Sequence, residues 1–211
     1  FTFNTSNGGA GMFNINLSNP SITNCVFASN TANNYGGGML NQSATPVIVN
    51  CTFQGNNSPN NAGAIGNSTA TPVIANSIIW GNNSGINGTA SITYSIVQGG
   101  FTGTGNINSD PLFVNSADAD GADNTWGTAD DGLRLLAGSA ALNAGSNSSI
   151  PAGITTDLLH AARIQNAVVD MGAYEAVAGC ASVLYVNNSI AAGGNGTSWS
   201  VAFKELRQAL M

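Results

Sequence analysis

The feature that most constrains the fold of this chain is an internal repeat with a step of 26 residues. Pro20, Pro46 and Pro72 keep this step. So do five further sets: Ile22, Ile48 and Ile74; Asn24, Asn50 and Asn76; Cys25, Cys51 and Ser77; Phe27, Phe53 and Ile79; and Asn30, Asn56 and Asn82. A shortened copy follows at 92–97. A unit this short with a fixed period cannot bury its own apolar side, so the repeat indicates units that stack on one another.

Each copy has the alternation of β-strands rather than the period of a helix. Ile48 and Phe53 differ in parity, so one straight strand would point them to opposite faces. A bend between Asn50 and Cys51 would point both inward, and Asn tolerates the left-handed backbone of such a bend. The density of Gly and Asn excludes a solenoid of helical hairpins, and a propeller blade needs about 40 residues.

These patterns predict an all-β parallel β-helix, a solenoid with about 26 residues per coil. Equivalent residues of successive coils would lie about 4.8 Å apart. We expect the Ile22 and Phe27 sets to form buried columns. We also expect Asn24, Asn50 and Asn76 to form an amide ladder, because identical amides hydrogen-bond one another in stacked strands.

The distribution of charge supports stacking and excludes several functions. The chain has four Lys or Arg and ten Asp or Glu, which is 14 charged residues in 211, and none of them, nor the one His, precedes Asp110. Identical charges in register would repel one another. Four scattered cations cannot form a nucleic-acid interface or a polybasic membrane contact, and no apolar run reaches the length of a membrane span. We therefore expect no nucleic-acid partner and no direct membrane insertion.

Several motifs resemble those of bacterial surface proteins. The runs NCVFASNTA at 24–32 and GGGMLN at 36–41 resemble the repeat of polymorphic outer membrane proteins. Four later runs are similar to the distal end of choice-of-anchor β-helix domains: DPLF at 110–113, LRL at 133–135, GSAALNAG at 138–145 and VDMGAYE at 169–175. The resemblance implies a right-handed β-helix and a secreted, extracellular protein of the bacterial cell surface with a structural or adhesive role.

Three regions are expected on this basis. Residues 1–109 would form the coils, without an N-terminal cap. Residues 110–178 would form a loop-rich C-terminal cap region with an acidic loop. Residues 179–211 resemble the strand and helix that cap the start of such a domain, and the apolar pattern at 201–210 itself favours a short C-terminal helix. This order fits either a piece of a tandem array or a filament subunit whose last segment covers the next molecule.

The acidic loop is the candidate metal site. It contains Asp118, Asp120, Asp123, Asp130 and Asp131 and no cation before Arg134. Calcium takes six to eight oxygen ligands, and a D-x-D-G start makes tight turns that bring carboxylates together, although the bidentate Glu of an EF-hand is absent. The related domains often carry a similar loop. We therefore predict a structural Ca²⁺ at these five residues; a solvated acidic loop is the alternative.

No catalytic residues are expected. Asp157, His160 and Asp170 have no nucleophile motif beside them, and Asp170 and Glu175 are expected to bind backbone amides instead. Cys25 and Cys51 are expected to stack as thiols in the core, because parallel side chains give poor disulfide dihedrals. Cys180 has no partner in this scheme.

The function that follows is a non-enzymatic structural or adhesive module that stacks end to end, with copies of itself or tandem domains as partners. The alternative is a carbohydrate-binding or polysaccharide-processing β-helix domain. Such enzymes need carboxylates or basic groups on the helix face, and the repeat has none. Trp80, Tyr35 and Tyr94 keep surface glycans among the candidate ligands, because aromatic rings pack on sugar faces.

Overall fold

The computed structural model of the chain describes residues 1–60 and 62–176. In this part the backbone forms fourteen short strands, and the only helix is a 3₁₀ turn at Asn147–Ser149. The strands are β1 (Thr5–Gly8), β2 (Met12–Ile15), β3 (Ser21–Thr23), β4 (Val26–Ala28), β5 (Thr31–Tyr35), β6 (Met39–Gln42), β7 (Val47–Val49), β8 (Thr52–Gln54), β9 (Ile65–Ser68), β10 (Val73–Ala75), β11 (Ile78–Trp80), β12 (Ile86–Asn87), β13 (Ser91–Thr93) and β14 (Ile96–Val97). The strand and helix predicted within 179–211 lie outside the described residues.

The strands stack in three parallel sheets of four. Sheet I has the order β3-β7-β10-β13, sheet II β4-β8-β11-β14 and sheet III β2-β6-β9-β12, while β1 pairs with β5. Each sheet therefore takes one strand from each successive copy of the repeat. The all-β architecture with parallel strands in stacked sheets is confirmed, and it is consistent with a parallel β-helix-like solenoid.

The repeat residues occupy equivalent register positions. Ile22, Ile48 and Ile74 pair in sequence across sheet I, and Phe27, Phe53 and Ile79 do so across sheet II. All six side chains are buried, which confirms the two predicted columns. The rings of Phe1, Phe27 and Phe53 stack nearly parallel, with centroids 4.7 and 4.5 Å apart. Burying side chains of this size stabilises the fold by about 1.5–3 kcal/mol each.

The predicted bend lies between sheets I and II. Asn24, Asn50 and Asn76 have φ angles of 53°, 54° and 49°, and Tyr94 takes the same place in the short copy with φ of 46°. Asn adopts this left-handed conformation more readily than most residues because its short side chain bonds nearby backbone. The bend allows residues of both parities, such as Ile48 and Phe53, to enter the same core.

Of the ladder predicted at Asn24, Asn50 and Asn76, the structure shows one long step, from Asn76 Nδ2 to Asn50 Oδ1 at 3.4 Å, which is lost when the Asn50 amide turns its oxygen to Arg163. Two other amide ladders are continuous. In the first ladder, which runs Asn4, Asn30, Asn56 and Asn82, each Nδ2 donates to the next Oδ1 at 2.9 Å. In the second, Asn14 donates to Asn41 at 2.8 Å and Asn41 to Asn67 at 2.9 Å. The bend amides instead point toward residues 110–176, where Asn24 donates to the carbonyl of Thr156 and Asn76 to that of Ser146.

The coil stack ends under a short loop rather than under the acidic region. Ile107 bridges to Ile96, the N–H of Tyr94 donates to the carbonyl of Thr104, and Phe101 packs against the main core. Residues 98–108 therefore close this end of the stack. The assignment of 110–178 to a C-terminal cap region stays a prediction.

Residues 110–176, here called the side segment, cover the outer face of sheet II along the length of the stack. Tyr174 and Leu133 pack with Val26, whereas Met171 packs with Ile78 and Ile96. A side chain at Gly172 would meet Ile78 and Thr52 within about 3 Å, and its φ of 97° also favours Gly. This approach allows the N–H of Gly172 to donate to the carbonyl of Asn76 at 2.8 Å. Residues 1–176 form one compact unit.

Candidate functional site

The first candidate site is the end of the stack opposite residues 98–108, here called the open edge. It is formed by residues 1–8 with β2 and β3, and the latter two are the terminal strands of their sheets. Val47 N donates to Pro20 O, and Asn24 N donates to Val49 O. Because bonds of a parallel strand alternate between its two neighbours, the N–H groups of Ser21 and Thr23 face away from β7.

The open edge also exposes apolar side chains. Phe1 is 52% exposed although its ring continues the buried Phe27 column, and Leu17 is 78% exposed. Phe3 and Phe13 are exposed beside them. Strand N–H groups without a partner among the described residues, together with exposed apolar side chains, form a surface that pairs with a further strand, whether from chain that precedes Phe1 or from another molecule.

The second candidate site is a buried polar cluster between the coil stack and the side segment. Its centre is Arg163, which is 1% exposed. Its guanidinium donates to the carbonyls of Asp170, Gly172 and Ala173 at 2.8–3.1 Å. The amide of Asn50, turned so that its oxygen faces the guanidinium, accepts from Nε and Nη2, each at 2.7 Å. Arg163 thus fastens the side segment to one of the predicted ladder positions.

Three buried carboxylates surround this cation and hold the side segment in place. Asp157, Asp170 and Glu175 are each at most 3% exposed, and Glu175 Oε2 lies 3.6 Å from Arg163 Nη2. As predicted for Asp170 and Glu175, the carboxylates accept backbone N–H groups. The donors are Leu159, Ala161 and Glu175 to Asp157; Asn143 and Ala176 to Asp170; and Asp170 to Glu175.

This cluster does not assemble with His160, whose side chain is exposed while the carboxylates are buried. The grouping of Asp157, His160 and Asp170 weighed from the sequence therefore does not form. Arg163 is the residue that sequence reasoning missed. The sequence did offer a signal for it. Arg163 is one of only four basic residues, and three of the ten acidic residues lie near it in the sequence, at 157, 170 and 175.

Burial of the cluster makes stability depend on pH. Burial raises the pKa of Glu175 to about 7 despite the charge of Arg163, and it also raises the pKa of Asp170. A carboxyl whose pKa is raised in the folded protein keeps its proton there to a higher pH than in the unfolded chain. Its contribution to stability is therefore complete below the unfolded pKa and is lost as pH rises through the folded pKa. We expect unfolding free energy to fall by about 1–2 kcal/mol between pH 5 and 7.

The measurement is urea denaturation across this pH range. The matched variant Glu175→Gln keeps an oxygen for the N–H of Asp170 and has no proton to lose, so its stability should fall less than that of the parent chain from pH 5 to 7, with Asp170 accounting for the fall that remains. An equal slope in both proteins would rule out Glu175 as the source.

The predicted metal-binding residues lie on a series of turns. Asp118, Asp123 and Asp130 are exposed, Asp120 is half-buried and Asp131 is buried. Asp123 accepts from the N–H of Thr125, and Asp130 accepts from Thr128 Oγ1 and from the N–H of Asp123. These bonds lower the pKa of Asp130.

Asp131 differs from the other four because it joins the loop to the core. Its Oδ2 accepts the Tyr174 hydroxyl at 2.7 Å and the N–H groups of Gly127 and Thr128. Burial and this carboxylate raise the pKa of Tyr174. The Oδ1 atom of Asp131 is buried and has no hydrogen-bond partner among the described residues.

The fit of these carboxylates to calcium is incomplete. Within residues 1–60 and 62–176, no group of three or more His, Cys, Asp and Glu side chains has the arrangement to hold a metal ion. Turn formation and the Tyr174 bond account for most of the carboxylate oxygens of Asp123, Asp130 and Asp131. A structural Ca²⁺ in this loop stays a prediction that no further step here depends on.

Cys25 and Cys51 are free thiols, as expected, and they lie in neighbouring coils. Both donate to backbone carbonyls, Cys25 to Thr23 and Cys51 to Val49, each at 3.3 Å. A hydrogen bond with Cys51 lowers the pKa of Cys25 to about 7, and burial raises the pKa of Cys51. Cys180 lies outside the described residues.

The three aromatic residues named as candidate sugar contacts lie apart from one another. Trp80 and Tyr94 pack beside Ile78 and Ile96 under the side segment. Tyr35 is exposed at the end of β5 and lines a groove on sheet III. These three rings therefore do not form one surface for a sugar, and only Tyr35 lines a groove.

Comparison of the chain with models of protein families, with curated proteins and with solved structures finds no match. In the described part of the chain, no helix has the length and apolar character of a membrane span.

Proposed function

We propose that this chain is a non-enzymatic structural and adhesive module of a bacterial surface protein. In this proposal the coils of about 26 residues form a right-handed parallel β-helix that associates end to end. The resemblance to bacterial surface repeats supports the extracellular location and the handedness. The partner is a second β-helix end, supplied by a tandem domain or by another copy of the chain.

The observation that carries this proposal is the difference between the two ends of the stack. One end is closed by residues 98–108, with Phe101 against the core. Within residues 1–60 and 62–176, the N–H groups of Ser21 and Thr23 at the open edge face away from β7 and have no partner, and the Phe1 ring on the core column is exposed. A contact between unlike ends does not close on itself, and it therefore produces an array rather than a dimer.

A backbone variant tests whether the open edge mediates association. Thr23→Pro removes an outward N–H group. This N–H makes no hydrogen bond to β7, and proline is tolerated at such edge positions. We expect the 211-residue chain to show mass that increases with concentration in sedimentation and short rods in electron micrographs. Thr23→Pro should weaken this association at least tenfold.

Thr23→Ala is the matched control, because it removes the side chain and keeps the N–H; its association should equal that of the parent chain. Thermal melting checks that both variants are folded. A monomer at all concentrations, or equal association of the Pro and Ala variants, would contradict the proposal. Deletion of 180–211 then distinguishes two versions: loss of rods assigns the contact to that segment, and retained rods assign it to the open edge packing on the end that residues 98–108 close.

The alternative of polysaccharide processing has less support. The three stacked sheets belong to residues 1–109, which contain no ionisable carboxylate, Lys, Arg or His. General acid–base chemistry on a sheet face needs such groups. Binding of a glycan without turnover needs no ionisable group, and one surface of sheet III favours such binding.

A further inference from the structure

The surface in question is a groove on the outer face of sheet III, beside β5. Its volume is about 420 Å³, within the range of small-molecule sites. The lining residues are Tyr35, Leu40, Gln42, Gly66, Asn67, Ser68 and Asn87. It adjoins the open edge, since Tyr35 pairs with Gly8 and Leu40 with Phe13, but it shares no lining residue with that edge, with the Arg163 cluster or with the acidic loop.

The groove exists because one outward position of sheet III has no side chain. Phe13, Leu40 and Gly66 pair in register across β2, β6 and β9. The column therefore has large side chains at Phe13 and Leu40 and no side chain at Gly66, which leaves a depression at Gly66. A Cβ at Gly66 would lie 3.2 Å from Leu40 Cδ1 and 3.3 Å from the N of Gly36, so a side chain there would fill the floor.

The walls offer one aromatic ring and several free polar groups. Tyr35 is 48% exposed. Among the described residues, the side chains of Gln42, Ser68 and Asn87 make no hydrogen bond, whereas Asn67 is held by Asn41 and by the carbonyl of Thr89. Free amide groups each present both donors and an acceptor at fixed spacing.

We propose that this groove binds a neutral oligosaccharide. The apolar face of a sugar ring packs on an aromatic ring such as Tyr35, whose hydroxyl supplies a polar edge. Adjacent sugar hydroxyls, each a donor and an acceptor, match the amides of Gln42 and Asn87 and the hydroxyl of Ser68.

Charge selects the class of glycan. None of the described residues that line the groove is charged, and residues 1–109 contain no charged side chain. A sulfated or carboxylated sugar would lose hydration there without gaining a cation. A neutral sugar exchanges its water hydrogen bonds for those of uncharged amides and hydroxyls at little cost.

The test is binding of the full chain to a glycan array that carries neutral, sialylated and sulfated oligosaccharides, followed by calorimetry with cellohexaose, maltohexaose, chitohexaose and a heparin hexasaccharide. We expect binding to at least one neutral oligosaccharide. Tyr35→Ala should weaken it at least tenfold, and Tyr35→Phe should weaken it less than threefold because the ring remains.

Two further variants separate the groove from general surface effects. Gly66→Ala should weaken binding by filling the floor, whereas Val73→Ala, at an exposed residue of β10 outside the groove, should leave it unchanged. Circular dichroism verifies that each variant is folded. Absence of binding across the array, binding of charged glycans only, or equal binding by Tyr35→Ala would overturn the proposal. These outcomes are independent of whether the open edge associates.

Discussion

Replacing Arg163 by methionine should lower the free energy of unfolding by about 3–5 kcal/mol at pH 7, the range found when one partner of a buried ion pair is removed. Methionine fills much of the volume, so packing is nearly kept. The carbonyls of Asp170 and Gly172 lose their donor, and the carboxylate of Glu175 loses the nearby positive charge. Urea denaturation followed by circular dichroism measures the loss.

Two further variants show whether the loss comes from charge. Arg134→Met removes a half-buried Arg whose Nε donates to the carbonyl of Asp131, and it should cost about 1 kcal/mol or less. Adding Glu175→Gln to Arg163→Met should restore part of the stability, because one uncompensated buried charge disappears. A loss below about 1 kcal/mol for Arg163→Met would show that the cluster does not fasten the side segment.

The second large effect is expected for Asn56→Asp in the first amide ladder, with a cost of about 3–5 kcal/mol at pH 7. Asn56 is fully buried, and its Nδ2 donates to Asn82 Oδ1 at 2.9 Å and to the carbonyl of Phe27 at 2.8 Å. A carboxylate has the same shape but cannot donate, so both bonds become contacts between acceptors. Each orphaned buried group costs about 1–3 kcal/mol, and the desolvated charge adds to this.

The exposed pair Asn33 and Asn7 supplies the control. Asn33 Nδ2 donates to Asn7 Oδ1 at 3.2 Å in solvent, and Asn33→Asp should cost less than about 0.5 kcal/mol. The carboxyl introduced at position 56 has a raised folded pKa, so its cost should be smaller at pH 5 than at pH 7. Equal, small costs at both positions would contradict the view that stacked coils exclude charge.

The coil stack could be predicted because its contacts repeat the period of the sequence. Residues at the same phase, such as Ile22 and Ile48, pair directly, so the columns followed from the 26-residue step alone. The continuous ladders lie at other asparagine sets for a related reason. Asn24 and Asn30 recur with the same step, and the period does not reveal that the bend turns Asn24 outward.

The side segment could not be predicted because it has no period and its partners are distant in sequence. Asn24 contacts Thr156 across 132 residues, and Ala173 N donates to Thr52 Oγ1 across 121. The prediction of a Ca²⁺ site rests on the local spacing of the acidic residues. Their bonds to turn amides and to Tyr174 depend on the packed position of the loop, which local spacing does not specify.

The path of the side segment changes how a solenoid of this kind unfolds. In a simple repeat protein each coil contacts only its neighbours, so terminal coils fray independently and intermediates accumulate. Here the side segment packs against the stack from Val26 in an early coil to Ile96 in the last. Unfolding of any one coil must therefore also release part of the side segment that packs against the other coils. We therefore expect the side segment to join the stacked coils into a single cooperative unit that melts in one transition.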